Sequence, residues 1–249
     1  MSERSERTNE QQRTNEQRVP VHGQPPTGGA PVEGGPQRGF FDIWSRVYDL
    51  APVQAAIYHP VHEAVLGELR AHPARRILDV GCGTGDLTAR LRAALQTEVV
   101  AGCDFSAGML EQAQARTRAV RWLQGDATRL PFADSRFDAT VSTEAFHWFP
   151  DPDAALREFN RVLAPGGRLL VALVNVRVPA TSRLAHAGST ALGQPARWPT
   201  RAEMADRVRA AGFTVQRQKR ILRLGGLLIP TVLTVGVKPG RQTNAAGSD

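Results

Sequence analysis

The spacing of apolar positions changes character along the chain. Between Phe40 and Leu69 they recur at helical intervals (Phe41, Trp44, Val47 and Tyr48, then Ile57, Val61, Val65 and Leu69), interrupted near Pro52 and Pro60. This predicts two or three helices ahead of the main domain. Beyond Arg76, apolar runs of strand length alternate with amphipathic segments. Strands are expected at Arg76 to Val80, Val99 to Asp104, Arg121 to Gln124, Ala139 to Thr143 and Arg168 to Val174, with helices at Asp86 to Leu95, Ser106 to Thr117 and Pro152 to Leu163. That alternation is the signature of βαβ units and a parallel sheet. A helix from Arg201 to Ala211 ends at Gly212, a residue suited to the left-handed turn that closes helices. Two last strands, Thr214 to Leu222 and Leu228 to Val237, flank Gly225-Gly226 and read as an antiparallel hairpin. The expected fold is α/β: a doubly wound, seven-stranded, mostly parallel sheet with an antiparallel C-terminal hairpin.

Residues 1–39 are polar and then rich in Pro and Gly, too poor in apolar area to offset the entropy of ordering, so a disordered tail is expected there. Residues 40–240 form the expected domain: lid helices at 40–72, a core at 73–175, and a segment with the hairpin at 176–240; residues 241–249 are a second tail. The net charge of +7 comes from 31 basic against 24 acidic residues, and the tail's five Arg and five Glu cancel. A basic domain attracts nucleic acid, anionic membrane or an acidic substrate, and an arginine-biased composition produces the same excess without function. Two cysteines exclude a disulfide framework, and no Cys/His cluster has metal-ligand spacing, so no metal is expected. With no secretory or transit pattern at Met1 to Arg18, a cytoplasmic protein is expected.

The densest signal is Ile77-Leu78-Asp79-Val80-Gly81-Cys82-Gly83-Thr84-Gly85-Asp86. An apolar strand runs through G-x-G-x-G into a helix, so the backbone can lie against a ligand with no β-carbon between them. Dinucleotide enzymes share such a turn. Asp79 argues against a pyrophosphate, because a carboxylate there accepts from a cationic amino group or a backbone amide. Asp104, ending the next strand before Phe105, suits two ribose hydroxyls, and Asp126, after the third strand, suits an adenine amine. The ordinary alternative for any single Asp is a helix cap or a solvated strand end.

Together the motifs DVGCGTG, GCDFS, GDATRLPF, FDATVSTEAFHWFPD and RVLAPGGRLLVA resemble the class I S-adenosylmethionine-dependent methyltransferases, over about Ile77 to Val174. LPFADSRFDAT and ALREFNRVLAPGG are similar to the type 11 branch that holds the menaquinone and ubiquinone methyltransferases, and AFHWF to the small-acid enzymes. The resemblance implies a Rossmann-like methyltransferase fold and S-adenosylmethionine as cofactor. It places Gly81, Gly83 and Gly85 at the methionine part, Asp104 at the ribose, Met109 and Ala127 at the adenine faces, Asp126 at the adenine amine, and Thr143 where cofactor and acceptor meet, with Phe105 also among the cofactor-binding residues. Tyr48, in a segment similar to the family's covering helix, would cap the methionine end, and His59 and His62 would reach the acceptor from the same lid.

Displacement at a sulfonium methyl needs alignment and exclusion of water rather than a metal. His147 is the candidate base in the fourth-strand segment; its ordinary alternative is to orient the loop or stack on an aromatic ring. Trp148 and Phe149 read as packing. A small organic acceptor (quinol, phenol, carboxylate or lipid-like molecule) is expected. Nucleic acid is not expected as a partner, because Ser142-Thr143-Glu144-Ala145 lacks the Pro-Pro-aromatic motif of base-methylating enzymes. A nucleic-acid methyltransferase, which only the basic charge favours, and a non-catalytic binder of the cofactor are the alternatives. Ile221 to Val237, flanked by Lys219, Arg220 and Arg223, allows peripheral membrane contact, against the competing reading of a buried hairpin.

Overall fold

The computed structural model describes residues 58–174, 198–221 and 231–240. Tyr48, the expected tails, the lid helices before Tyr58, most of Asn175 to Pro199 and the Gly225-Gly226 turn lie outside the described residues.

The elements run α1 (His59–Ala71), β1 (Arg76–Val80), α2 (Asp86–Ala94), β2 (Val99–Asp104), α3 (Ala107–Arg116), β3 (Arg121–Gln124), β4 (Phe137–Thr143), a 3-10 turn (Phe146–Trp148), α4 (Pro152–Val162), β5 (Leu163–Val174), α5 (Arg201–Ala210), β6 (Thr214–Ile221) and β7 (Thr231–Val237). Local chemistry sets the boundaries. Pro60 falls in the first turn of α1, where a missing N–H costs nothing. Asp151 accepts from the amides of Asp153 and Ala154 at the start of α4. Thr200 and Glu203 form a reciprocal capping box on α5, which ends at Gly212 with φ 87°.

The seven strands form one sheet in the order β3-β2-β1-β4-β5-β7-β6. β1 to β5 pair in parallel, whereas β7 lies antiparallel between β5 and β6. This is the doubly wound, Rossmann-like arrangement. The strand composition explains the order of the last two: β7 (TVLTVGV) is apolar and almost wholly buried, while β6 (TVQRQKRI) is polar and mostly exposed at the edge. β7 is buried within the sheet, and Lys219 and Arg220 are exposed on β6.

Alternating side chains feed two cores. Leu78, Leu169 and Val171 pack with Leu156 and Phe159 of α4 and Val208 of α5 on one face. Ile77, Val100 and Val141 pack with Val61 and Val65 of α1 and Leu91 of α2 on the other. α1 is also pinned by Glu68, 1% exposed, which meets Arg168 of β5 at 3.4 Å and Arg217 of β6.

Candidate active site

The ends of β1, β2 and β3 are lashed side by side. Gly81 donates to the Cys103 carbonyl (2.8 Å) and Gly125 to the Asp104 carbonyl (3.0 Å), so the glycine turn, Asp104 and Asp126 share the carboxyl edge of the sheet. Gly81, Gly83 and Gly85 all have positive φ: 71°, 55° and 78°. They are glycine for different reasons. A β-carbon on Gly81 would lie 2.3 Å from that of Ala145, and one on Gly85 would lie 2.4 Å from the Trp122 indole. At Gly83 a β-carbon would meet none of the described residues within 4 Å.

Asp104 braces the turn. Its Oδ2 accepts from the Gly83 amide at 2.8 Å and its Oδ1 from the Ser106 amide at 2.9 Å. Ser106 in turn caps α3 through the amide of Met109, which is buried in the first turn. Phe105 is half-buried and its carbonyl accepts from Gln124. Asp126 accepts from the amide and hydroxyl of Thr128, both at 2.8 Å on Oδ1, forming an Asx turn. Ala127 is buried in the core beside Cys103 and Leu130.

Strand alternation turns Asp79 toward α2, where Thr88 donates to Oδ2 at 2.6 Å. The other oxygen, Oδ1, is buried and has no partner among the described residues. Burial pushes this carboxyl up to about 7, with the Asp104 charge adding to the rise against the Thr88 hydrogen bond. Burial also pushes the Cys103 thiol up to about 12, which suits an inert packing group.

β4 delivers the other wall. Thr143 ends the strand half-buried, Glu144 follows with φ 56°, and Ala145 lies against Gly81. His147 sits on the 3-10 turn, 8% exposed, its ring stacked on Trp198 at 5.7 Å and near Trp148 at 4.9 Å. Burial lowers its pKa to about 4, and Nδ1 is buried without a partner among the described residues. His147 is therefore a neutral imidazole at physiological pH. His62 and His59 approach Asp86 of α2, at 3.3 and 3.9 Å. Trp122, Glu144 and Trp198 had no expected role. Only Glu144 carried a local sign, a charged residue directly after an apolar strand.

A methyltransferase-domain family model matches residues 78–171. The demethylmenaquinone methyltransferase of Mycobacterium tuberculosis is 34% identical over 228 residues, spanning 82% of this chain and 92% of that protein. The Thermus thermophilus protein of the same name is 46% identical over 101 residues, 39% of this chain and 46% of that protein. The chain belongs to the class I S-adenosylmethionine-dependent methyltransferases, in their menaquinone-methyltransferase-like branch. A chain in the complex between the Haloferax volcanii Trm112 methyltransferase activator and a putative methyltransferase superposes with TM-score 0.69 at 26% identity, covering 80% of this chain and 97% of that one. The [4+2]-cyclase SpnF shares the fold at TM-score 0.62 and 22% identity, over 72% of this chain and 80% of that one. One fold thus carries different chemistries, and the site has to decide between them. Among the described residues, no helix of this methyltransferase is long and apolar enough to cross a membrane.

Proposed function

We propose that the chain binds S-adenosylmethionine at the glycine turn and methylates the reduced ring of a quinone-type small molecule. The observation that carries the cofactor half is the pairing of a β-carbon-free face at Gly83 with Oδ1 of buried Asp79, which has no partner among the described residues. An ammonium group is the ligand chemistry that relieves a buried carboxylate oxygen. Gly81, Gly83 and Gly85 would take the methionine part. Asp104, an acceptor-only carboxylate at the end of β2, would take the ribose hydroxyls. Oδ2 of Asp126 takes no donor among the described residues and would accept the adenine amine, with Phe105, Met109 and Ala127 around the base. Thr143, and Tyr48 from outside the described residues, would border the methionine end. When bound, the cofactor supplies a methyl carbon activated by positive sulfur.

The acceptor half rests on the likeness, over most of both chains, to proteins named for demethylmenaquinone. The chain's own residues would align the acceptor and exclude water: Ala145 and Phe149 close against Gly81, and the His147–Trp198 stack supplies a flat, apolar wall. His147 is assigned to shaping that wall. Its desolvated ring favours the neutral form too strongly to gather a proton near neutral pH.

Calorimetric titration with S-adenosylmethionine and S-adenosylhomocysteine, with NAD as control, tests the cofactor half. Binding of the two sulfur compounds without NAD is expected. Binding of NAD alone would overturn it.

A further inference from the structure

The 3-10 turn Phe146–Trp148 is held against the glycine turn on both sides. A β-carbon on Gly81 would lie 2.3 Å from that of Ala145, just before the 3-10 turn, and 3.6 Å from the ring of Phe149, just after it. His147 stands between these two contacts, so its ring belongs to the wall beside the turn assigned to the methionine part. Trp198, two residues before the Thr200 cap of α5, stacks on that ring from a distant part of the chain, with an interplanar angle of 25°. Phe146 is buried edge to face against Phe149, so the wall is aromatic on both sides of His147.

An imidazole suits such a wall only if its nitrogens are used. Nδ1 of His147 is buried and has no hydrogen-bond partner among the described residues. A buried polar atom left without a partner destabilises a fold, whereas a phenyl ring at the same place would stack without that loss. The unsatisfied nitrogen therefore calls for a partner that arrives with a ligand.

We infer that Nδ1 of His147 accepts a hydrogen bond from a hydroxyl of the acceptor ring, an assignment that rests on the quinol reading above. The flat stack of His147 and Trp198 fits an aromatic ring, and the nitrogen within it fits a hydroxyl on that ring's edge. A neutral imidazole offers its lone pair without taking the proton, so the burial that disqualifies His147 as a base suits it as a hydrogen-bond acceptor. During transfer the ring carbon bonds the methyl carbon, the pair of the broken C–S bond stays on sulfur, and positive charge passes to the ring. The hydroxyl becomes a stronger donor, so its bond to Nδ1 tightens in the transition state. The ring carbon then sheds its own proton to solvent, one per methyl transferred, and both the hydroxyl and His147 end as they began.

The experiment uses the full chain, S-adenosylmethionine and 1,4-naphthalenediol kept anaerobic, with formation of S-adenosylhomocysteine as the rate signal. His147→Phe keeps a ring for Trp198 and removes the nitrogen; its kcat/KM for the diol should fall by at least about 10-fold, the worth of a hydrogen bond lost from the transition state. Its melting temperature at neutral pH should not fall below that of the wild-type chain, because the nitrogen has no partner to lose. Its affinity for S-adenosylhomocysteine, measured by titration, should stay within about twofold. His147→Asn, whose side-chain oxygen is an acceptor placed much as Nδ1 is, should recover part of the rate. A Phe variant with wild-type kcat/KM overturns the assignment. So does one whose melting temperature drops as its rate falls, since the nitrogen would then serve the fold, or one whose loss of rate is matched by loss of S-adenosylhomocysteine affinity. A wild-type chain that binds S-adenosylhomocysteine yet methylates no quinol overturns the acceptor reading, and the assignment with it.

Discussion

The carboxylate of Asp104 accepts a 2.8 Å hydrogen bond from the amide of Gly83 and thereby fixes the middle of the glycine turn to the end of β2. The same carboxylate is proposed to hold the cofactor ribose, so one group would both shape the turn and bind what lies on it. Asp104→Ala removes both contributions. Cofactor affinity should weaken by about 1.5–3 kcal/mol, the scale of a hydrogen bond to a charged group, read by titration with S-adenosylhomocysteine. Unchanged affinity would take Asp104 out of the site.

Asp79 leads to a prediction about protons. Its carboxyl stands near 7 in the free protein, so at neutral pH it is partly protonated. An ammonium group beside Oδ1 lowers that value, so binding should release protons near pH 7, and affinity should rise as pH increases through this range. Calorimetry in two buffers of different ionisation enthalpy measures the release. Asp79→Asn should abolish it.

Gly81 and Gly83 should fail in different ways. Gly81→Ala combines φ 71° with a 2.3 Å clash against Ala145, and should lower the melting temperature most, by a cost of about 1–3 kcal/mol or more. Gly83→Ala meets none of the described residues within 4 Å, so beyond the strain of φ 55° its larger effect should be on cofactor affinity. Thermal melts with and without S-adenosylhomocysteine separate the two.

His147 should mark the acid side of the stability curve. Its folded pKa of about 4 lies below the ordinary 6.5, so between these values the unfolded chain binds more protons. Stability is therefore full above about 6.5 and declines as pH falls toward 4. Melts across that window should show a shallower decline for His147→Phe than for the wild-type chain. Parallel declines would mean that the imidazole is not held neutral.

Much of this arrangement could be read from local pattern. β1, β2 and β3 have the boundaries that their apolar runs predict, and the left-handed Gly212 ends α5 as expected. β5 begins at Leu163, ahead of the expected Arg168, because Pro165-Gly166-Gly167 looks like a free turn locally. Long-range bonds hold it: Gly166 donates to the Lys238 carbonyl, and the Lys238 amide donates to Gly167. The site shows the same division. The glycines and acidic strand ends are sequence-local features, and their placement on neighbouring strands follows from the βαβ order. Trp122 under Gly85, Trp198 on His147 and Thr231 on Glu144 join segments far apart in the chain, so no window of sequence carries them.

The most direct measurement of the central claim is transfer of a labelled methyl group. The purified chain would be incubated with methyl-labelled S-adenosylmethionine and a reduced, unmethylated naphthoquinone, and the organic phase extracted and analysed. The account predicts label on the quinone ring with an equal amount of S-adenosylhomocysteine formed. An unlabelled quinone from a chain that still binds S-adenosylhomocysteine would contradict it.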